Sequence, residues 1–227
     1  RIGQDRGVGR VDHAAIVGGV DSLCHTTLNG FSALQLLSTG PCRPCDEDRD
    51  GLSLGEAAGY ALLERGECAG GRGTVALLGY GESTDGYHMS HPHPEGVGAM
   101  RAIKDSLIRA RLRPEQVEYV NLHGTATVAN DSVEDKAVYG LFGARPACSS
   151  TKGWTGHTLG AAGITEAVIS ALCLTHGFMP GTLNCRRVDG SLKSRILREN
   201  QTGSVSCVLS NIFGFGGNNC SLVLGKL

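Results

Sequence analysis

His123, Lys152, His157 and Glu166, with Phe215 in a glycine-rich segment, are the residues of this 227-residue sequence whose types and spacing could do chemistry. His123 opens the run His123-Gly124-Thr125-Ala126-Thr127, directly behind a buried-strand pattern from Val117 to Leu122. Loops beyond the carboxyl ends of strands form the ligand crevice of open α/β sheets, so this imidazole either faces a ligand or is satisfied by a nearby carbonyl. The hydroxyls of Thr125 and Thr127 have a similar choice between an amide-bearing ligand and their own backbone.

The stretch from Ser149 to Gly163 brings Lys152 and His157 together just ahead of an apolar helix rich in glycine and alanine. A helix N-terminus opposes protonation of a nearby imidazole and keeps it neutral. Glu166 lies on that helix among apolar residues, where a carboxylate needs a partner, and Lys152 is the natural one. In the stretch from Asn211 to Asn219, Gly214, Gly216 and Gly217 surround Phe215. Such a segment is either a mobile loop that brings N–H groups close to a ligand or only a glycine-rich hairpin.

Rigid elements must hold these segments, and the pattern of the chain supplies them. Strands are predicted at Ala14 to Val20, Gly59 to Leu63, Thr74 to Tyr80 and Val117 to Leu122, with Gly70 to Gly73 turning between the second and third. Helices are predicted at Gly30 to Leu37, from Met100 to a stop at Pro114, at Val133 to Phe142 and at Leu159 to Thr175; the last is apolar enough to need cover on nearly every side. Val205 to Ile212 and Cys220 to Leu224 read as two antiparallel strands around the glycine-rich segment. This alternation predicts a layered α/β sheet. Pro41 to Gly51 reads as a surface loop, and Thr84 to Glu95 as a boundary dividing the chain into 1–84 and 85–227.

With 21 Lys and Arg against 22 Asp and Glu, the net charge is −1, and 19% of residues are charged. That balance excludes a polybasic nucleic-acid arm, an acidic tail and a disordered chain. Glycine is abundant, at 34 residues, and aromatics are scarce, at 5%, so close backbone approach must do much of the packing. The nine cysteines are odd in number and scattered, with one CxxC at Cys42 and Cys45 and no second pair to complete a zinc site. Reduced thiols in a cytoplasmic protein are expected. No run approaches the ~18 continuous apolar residues of a membrane span, and the opening from Arg1 to Arg6 is not a signal peptide. The first residue is not Met, which raises the expectation of a fragment. His88, His91 and His93, separated by Pro92 and Pro94, read as a solvated loop, and no metal is expected.

In order along the chain, these segments resemble the β-ketoacyl synthases, the condensing enzymes of the thiolase superfamily. The match includes Gly18-Gly19-Val20-Asp21-Ser22, Arg43-Pro44-Cys45-Asp46, Arg49-Asp50-Gly51, Gly55-Glu56-Ala57-Ala58-Gly59 and Asp85-Gly86-Tyr87-His88-Met89. The resemblance implies a layered α-β-α-β-α fold, here the end of the N-terminal half and the complete C-terminal half. It implies that His123 and His157 are the catalytic histidine pair, with Lys152 the lysine of their motif and Glu166 its acidic companion. Thr125 and Thr127 would contact the pantetheine arm; Phe215 would gate the site and lend its backbone N–H to an oxyanion hole. The implied reaction is decarboxylative condensation of a malonyl thioester with an acyl group held on a cysteine, in fatty-acid or polyketide chain elongation.

The family's nucleophilic cysteine lies upstream of the segment matching Ala14 to Gly19, and none of the nine cysteines corresponds to it. Cys24 follows that segment and lacks the small flanking residues of a nucleophile elbow, so it is expected to be a packing or surface thiol. By the same resemblance the substrates ride on the phosphopantetheine of an acyl carrier protein and no resident cofactor is needed. The expected partners are that carrier, a missing N-terminal portion, and a second subunit in a homodimer or synthase heterodimer. Arg101, Lys104, Arg109 and Arg111 offer a basic face but no assigned docking site. The competing expectation is a non-catalytic partner like the chain-length factors, which usually lose the histidines retained here.

Overall fold

The computed structural model describes residues 14–66 and 75–226. β1 (Ala14–Asp21) and β2 (Ala57–Glu64) form an antiparallel pair in which Gly19 lies opposite Gly59, and α1 (His25–Ala33) follows β1. The remaining elements are β3 (Val75–Thr84), α2 (Val97–Ala110), β4 (Tyr119–Asn121), α3 (Val128–Phe142), β5 (Ala147–Ser149), α4 (Lys152–Thr155) and α5 (Ala162–His176). After them come β6 (Phe178–Met179), β7 (Arg195–Ile196), β8 (Gln201–Thr202), β9 (Cys207–Gly214) and β10 (Asn218–Lys226). Six strands make one mixed sheet in the order β3-β10-β9-β4-β5-β7, in which β9, β4, β5 and β7 run parallel and β10 is antiparallel to both neighbours. β6 and β8 form a small separate pair.

Successive residues of a strand point to opposite faces, and the core follows that rule. Val120, Leu209 and Val223 join Ile103 and Leu107 of α2 and Val138 and Phe142 of α3, while Tyr119, Val208 and Leu224 join Leu174 of α5. α2 lies almost on the backbone of β3, since a Cβ on Gly81 would sit 1.9 Å from the Ala102 carbonyl oxygen. Only glycine allows that approach.

α5 is shared between the two sheets. A Cβ on Gly59 of β2 would come 3.0 Å from Ile164, and one on Gly163 would come 3.7 Å from Ile212 of β9. The segment Leu159–His176 has a mean hydropathy of 1.4 over 18 residues, long and apolar enough by composition to cross a membrane, and it lies between sheets instead. Its cover is incomplete, because Val168 and Leu172 are exposed. The outer face of β1 and β2 is also open, with Ile16, Tyr60 and Leu62 at 77%, 65% and 60% exposure. The described residues thus form four layers, α-β-α-β, of the thiolase-like arrangement.

Three expectations need correction. β3 hydrogen-bonds β10, so the first sheet ends before residue 75 and not at 84. α1 starts at His25, ahead of Gly30, and ends at Ala33 and not Leu37, because Gln35, at φ 56°, turns the chain out of the helix. α3 begins at Val128, ahead of Val133: Asp131 and Glu134 interrupt the apolar period, yet both are buried. The two- and three-residue strands β5 to β8 are too short to show any periodicity. The turn Gly70 to Gly73 and Cys68 lie outside the described residues.

Candidate active site

The chain leaves β4 at Asn121 and reaches His123 two residues later, while Lys152 opens α4 just past β5, so both sit beyond the carboxyl ends of adjacent parallel strands. The two loops are stitched together by the Ser150 hydroxyl, which donates to the Gly124 carbonyl at 2.6 Å. A Cβ on Gly124, which stands at φ 37°, would sit 2.4 Å from the Ser150 Cβ. His157 is anchored across the molecule, its N–H donating to Ser53 O at 2.7 Å and its carbonyl accepting from Gly55 N–H at 3.0 Å.

The two imidazoles meet edge to face, with centroids 5.2 Å apart and an interplanar angle of 85°. The Leu159 N–H points at His157 Nδ1 at 3.3 Å, and Lys152 Nζ lies 3.3 Å from His123 Nδ1. Donors on both Nδ1 atoms leave the ring protons on Nε2 in each histidine. Lys152 also donates to the His123 carbonyl at 2.5 Å and forms a short ion pair with Glu166, both side chains being almost wholly buried.

Burial, then the positive charge of Lys152, lowers the His157 pKa to about 3; burial, Lys152 and His157 hold His123 well below its usual value. Burial pushes the Glu166 carboxyl up, opposed by Lys152. Both imidazoles are therefore neutral donors near pH 7.

A stability consequence follows for acid solution. Between pH 6.5 and 3 an unfolded His157 takes up a proton that the folded one refuses, so its contribution to stability is lost as pH falls. At about 1.4 kcal/mol per unit, the loss from pH 6.5 to 5 is about 2 kcal/mol. His157→Asn is expected to lose about 2 kcal/mol less than wild type over that interval in urea melts. Equal losses in the two proteins would mean that His157 titrates normally.

Three groups that sequence reading missed hold these loops. Glu134 accepts the backbone N–H of His123 and of Gly124, each at 2.8 Å, and the Asn211 side chain at 3.1 Å, while burial raises its pKa to about 7. Asp131 accepts from Cys45 N–H at 2.9 Å and Ala126 N–H at 3.2 Å. Arg49 lies beside Asp131 and bonds Asp189 at 2.6 Å, tying the 41–51 loop to the threonine loop. A signal was present: carboxylates at 131, 134 and 135 fall at i, i+3 and i+4 and so share one face of α3.

His123 and His157 border a cavity of about 840 Å³, also lined by Thr125, Thr127, Phe31 and Phe215. Thr125 and Thr127 bond each other, Oγ1 to Oγ1, at 2.8 Å. Phe215 is 47% exposed and stacks on Phe31 with centroids 5.6 Å apart. The turn that follows it uses Gly216 and Gly217 at φ 78° and 74°, a region costly for other residues. Gly216 N–H donates to Met89 O at 2.7 Å, and Asn219 bonds Asp85 at 2.9 Å, clasping the Phe215 turn to the 85–95 loop.

Among the described cysteines, Cys220 borders the cavity but burial raises its pKa, and Cys42, at about 11, faces the Thr125 carbonyl. Cys24 is lowered by its Thr27 hydrogen bond and lies on the exposed surface. His88 and His91 approach with Nδ1 atoms 3.2 Å apart, whereas His93 turns to the Tyr87 ring, so the three imidazoles do not converge.

Two sheets sharing a central helix, with the site at the strand ends, define a thiolase-like ketosynthase fold. Residues 9–69 match the model of the β-ketoacyl synthase N-terminal domain and 75–186 that of the β-ketoacyl synthase C-terminal domain. The chain belongs to the β-ketoacyl synthase family. It is 39% identical over 231 residues to 3-oxoacyl-[acyl-carrier-protein] synthase 2 of Coxiella burnetii, covering 95% of this chain and 56% of that protein. It is likewise 39% identical to the mitochondrial 3-oxoacyl-[acyl-carrier-protein] synthase of Arabidopsis thaliana, covering 93% of this chain and 50% of the relative. A solved structure of the ketosynthase ApeO in complex with its chain length factor ApeC, from Xenorhabdus doucetiae, superposes with a TM-score of 0.89. It is 45% identical, and the match covers 95% of this chain and 53% of that one. The chain thus spans about half the length of the relatives it matches.

Proposed function

We propose that this chain supplies the decarboxylating part of a β-ketoacyl-[acyl-carrier-protein] synthase in fatty-acid or polyketide chain elongation. One observation carries the reading: two neutral imidazoles, His123 buried and His157 partly buried, border one cavity with their Nε2–H donors free. When a malonyl thioester loses its carboxylate as carbon dioxide, the electron pair moves into an enolate on the thioester carbonyl. Two donors fixed in advance stabilise that oxygen as its charge develops, where reorganising water would be costly. The enolate carbon then attacks an acyl thioester on a cysteine, and the sulfur leaves as thiolate.

No described cysteine combines activation with access to the cavity, so the acyl-bearing thiol is assigned to the part of the longer relatives that this chain does not match. Thr125 and Thr127 take the amides of the carrier's phosphopantetheine, and no further cofactor is required. The partners in this reading are an acyl carrier protein and a second synthase-type subunit. A non-catalytic chain-length-factor role has no use for an imidazole pair whose tautomers are fixed.

The test is release of carbon dioxide from malonyl-carrier protein by the 227-residue protein, expected to be slow and unaccompanied by condensation. A folded protein that binds the malonyl thioester and never releases carbon dioxide overturns the reading. Phe215→Ala is expected to change which acyl lengths are accepted once the complementary portion is supplied, with stability moving by less than about 1 kcal/mol because the ring is half exposed. A large loss of stability with unchanged chain preference would count against a gate.

A further inference from the structure

We infer that Asp21, at the end of β1, is a positioning residue that fixes the tautomer of His157. The inference rests on the reading of His157 as an Nε2–H donor. That donor exists only while Leu159 N–H occupies Nδ1, which it does at 3.3 Å. Leu159 holds this direction at φ 48°, a left-handed conformation that costs a leucine roughly 1 kcal/mol or more and persists only where the surroundings impose it.

The constraint does not come from the local sequence. Leu159–Ala161 is a single 3-10 turn leading into α5, and neither Thr158 nor Ala161, the residues at the two helix starts, caps with its side chain. The early N–H groups of a helix need outside acceptors. Asp21 Oδ2 takes the Gly160 N–H at 2.9 Å, from 139 residues away. Two residues earlier in β1, a Cβ on Gly19 would meet the Gly160 carbonyl oxygen at 2.4 Å, so the strand lies directly against the turn.

Gly160, one residue after Leu159, is therefore gripped at its N–H and pressed at its carbonyl. Without the Asp21 bond the turn is free to relax to negative φ, Leu159 N–H swings away, and Nδ1 becomes able to hold the proton. The share of His157 in that form has no Nε2–H to offer. Asp21 touches no reacting atom in this scheme.

The experiment is a long-range ¹H–¹⁵N correlation of the His157 ring in the 227-residue protein at pH 7, comparing wild type, Asp21→Ala, Asp21→Asn and Gly19→Ala. Wild type should show well-separated Nδ1 and Nε2 shifts of the pure Nε2–H form. In Asp21→Ala the two shifts should move toward each other, and Asp21→Asn, which keeps an acceptor oxygen and loses only charge, should restore the separation. Gly19→Ala reaches the same turn by displacing β1 and should converge the shifts even if Asp21→Ala does not fold. Unchanged shifts in folded Asp21→Ala or in Gly19→Ala would overturn the inference. So would an Asp21→Asn spectrum like that of Asp21→Ala, since charge and not the hydrogen bond would then be responsible. Carbon dioxide release should fall roughly tenfold in Asp21→Ala with KM within about twofold, less than the loss of a whole donor. Converged shifts with an unaltered rate would count against the decarboxylation reading and leave the role of Asp21 standing.

Discussion

His123→Ala and His157→Ala are each expected to slow carbon dioxide release from a malonyl thioester by roughly 10²–10³-fold, the usual cost of removing one preorganised donor from an oxyanion site. The loss should appear in kcat with little change in KM, because the charge that the donors meet exists only as the carboxylate departs. The double variant should lose less than the product of the single losses, since one remaining donor already acts in a broken pair. The asymmetry between the sites adds a check. His123 packs on Phe213 and keeps Lys152 company through both its ring and its carbonyl, so its truncation should also cost stability. A protein that still decarboxylates at the wild-type rate without both imidazoles would end the argument from the pair.

Glu166→Gln is expected to destabilise the protein by about 3–5 kcal/mol, the range for removing one partner of a buried ion pair. Both side chains are nearly inaccessible, so Lys152 would be left with only the His123 carbonyl and ring as neighbours. Replacing both residues by methionine should recover much of the loss, because an apolar pair of similar volume avoids the desolvation cost. The same double variant should still decarboxylate poorly, since Nδ1 of His123 would have lost the donor that keeps its proton on Nε2. Chemical denaturation separates these outcomes: a Glu166→Gln change within ±0.5 kcal/mol, the range of surface substitutions, would mean that the pair carries no buried charge.

The parts of this molecule legible in its sequence are those whose cause is local. α2 shows its helical period, β9 and β10 show two apolar runs about a glycine turn, and the Lys152–Glu166 pair follows from the cost of a lone carboxylate in an apolar helix. The parts that were not legible have distant causes. Glu134 and Asp131 look like ordinary polar interruptions of α3, and only the fold shows them receiving the backbone of the histidine loop and of Cys45. β5 is three residues long, yet its placement beside β4 brings Lys152 to His123. The assignment of β3 to the first half failed for the same reason, because an edge strand carries no mark of which sheet it will join.

The pairing of β3 with β10 also bears on how the protein is made. Among the described residues β3 has β10 as its only strand neighbour, and Asp85 at its end meets Asn219 from 134 residues later. At ribosomal rates of about 5–20 residues per second, β3 and α2 wait roughly 7–27 s before their partner strand has been synthesised. During that interval the apolar face that will cover Val223 is exposed, and contacts this distant in sequence close slowly even after release. The nascent chain should therefore depend on chaperone protection most strongly between the completion of α2 and the emergence of β10.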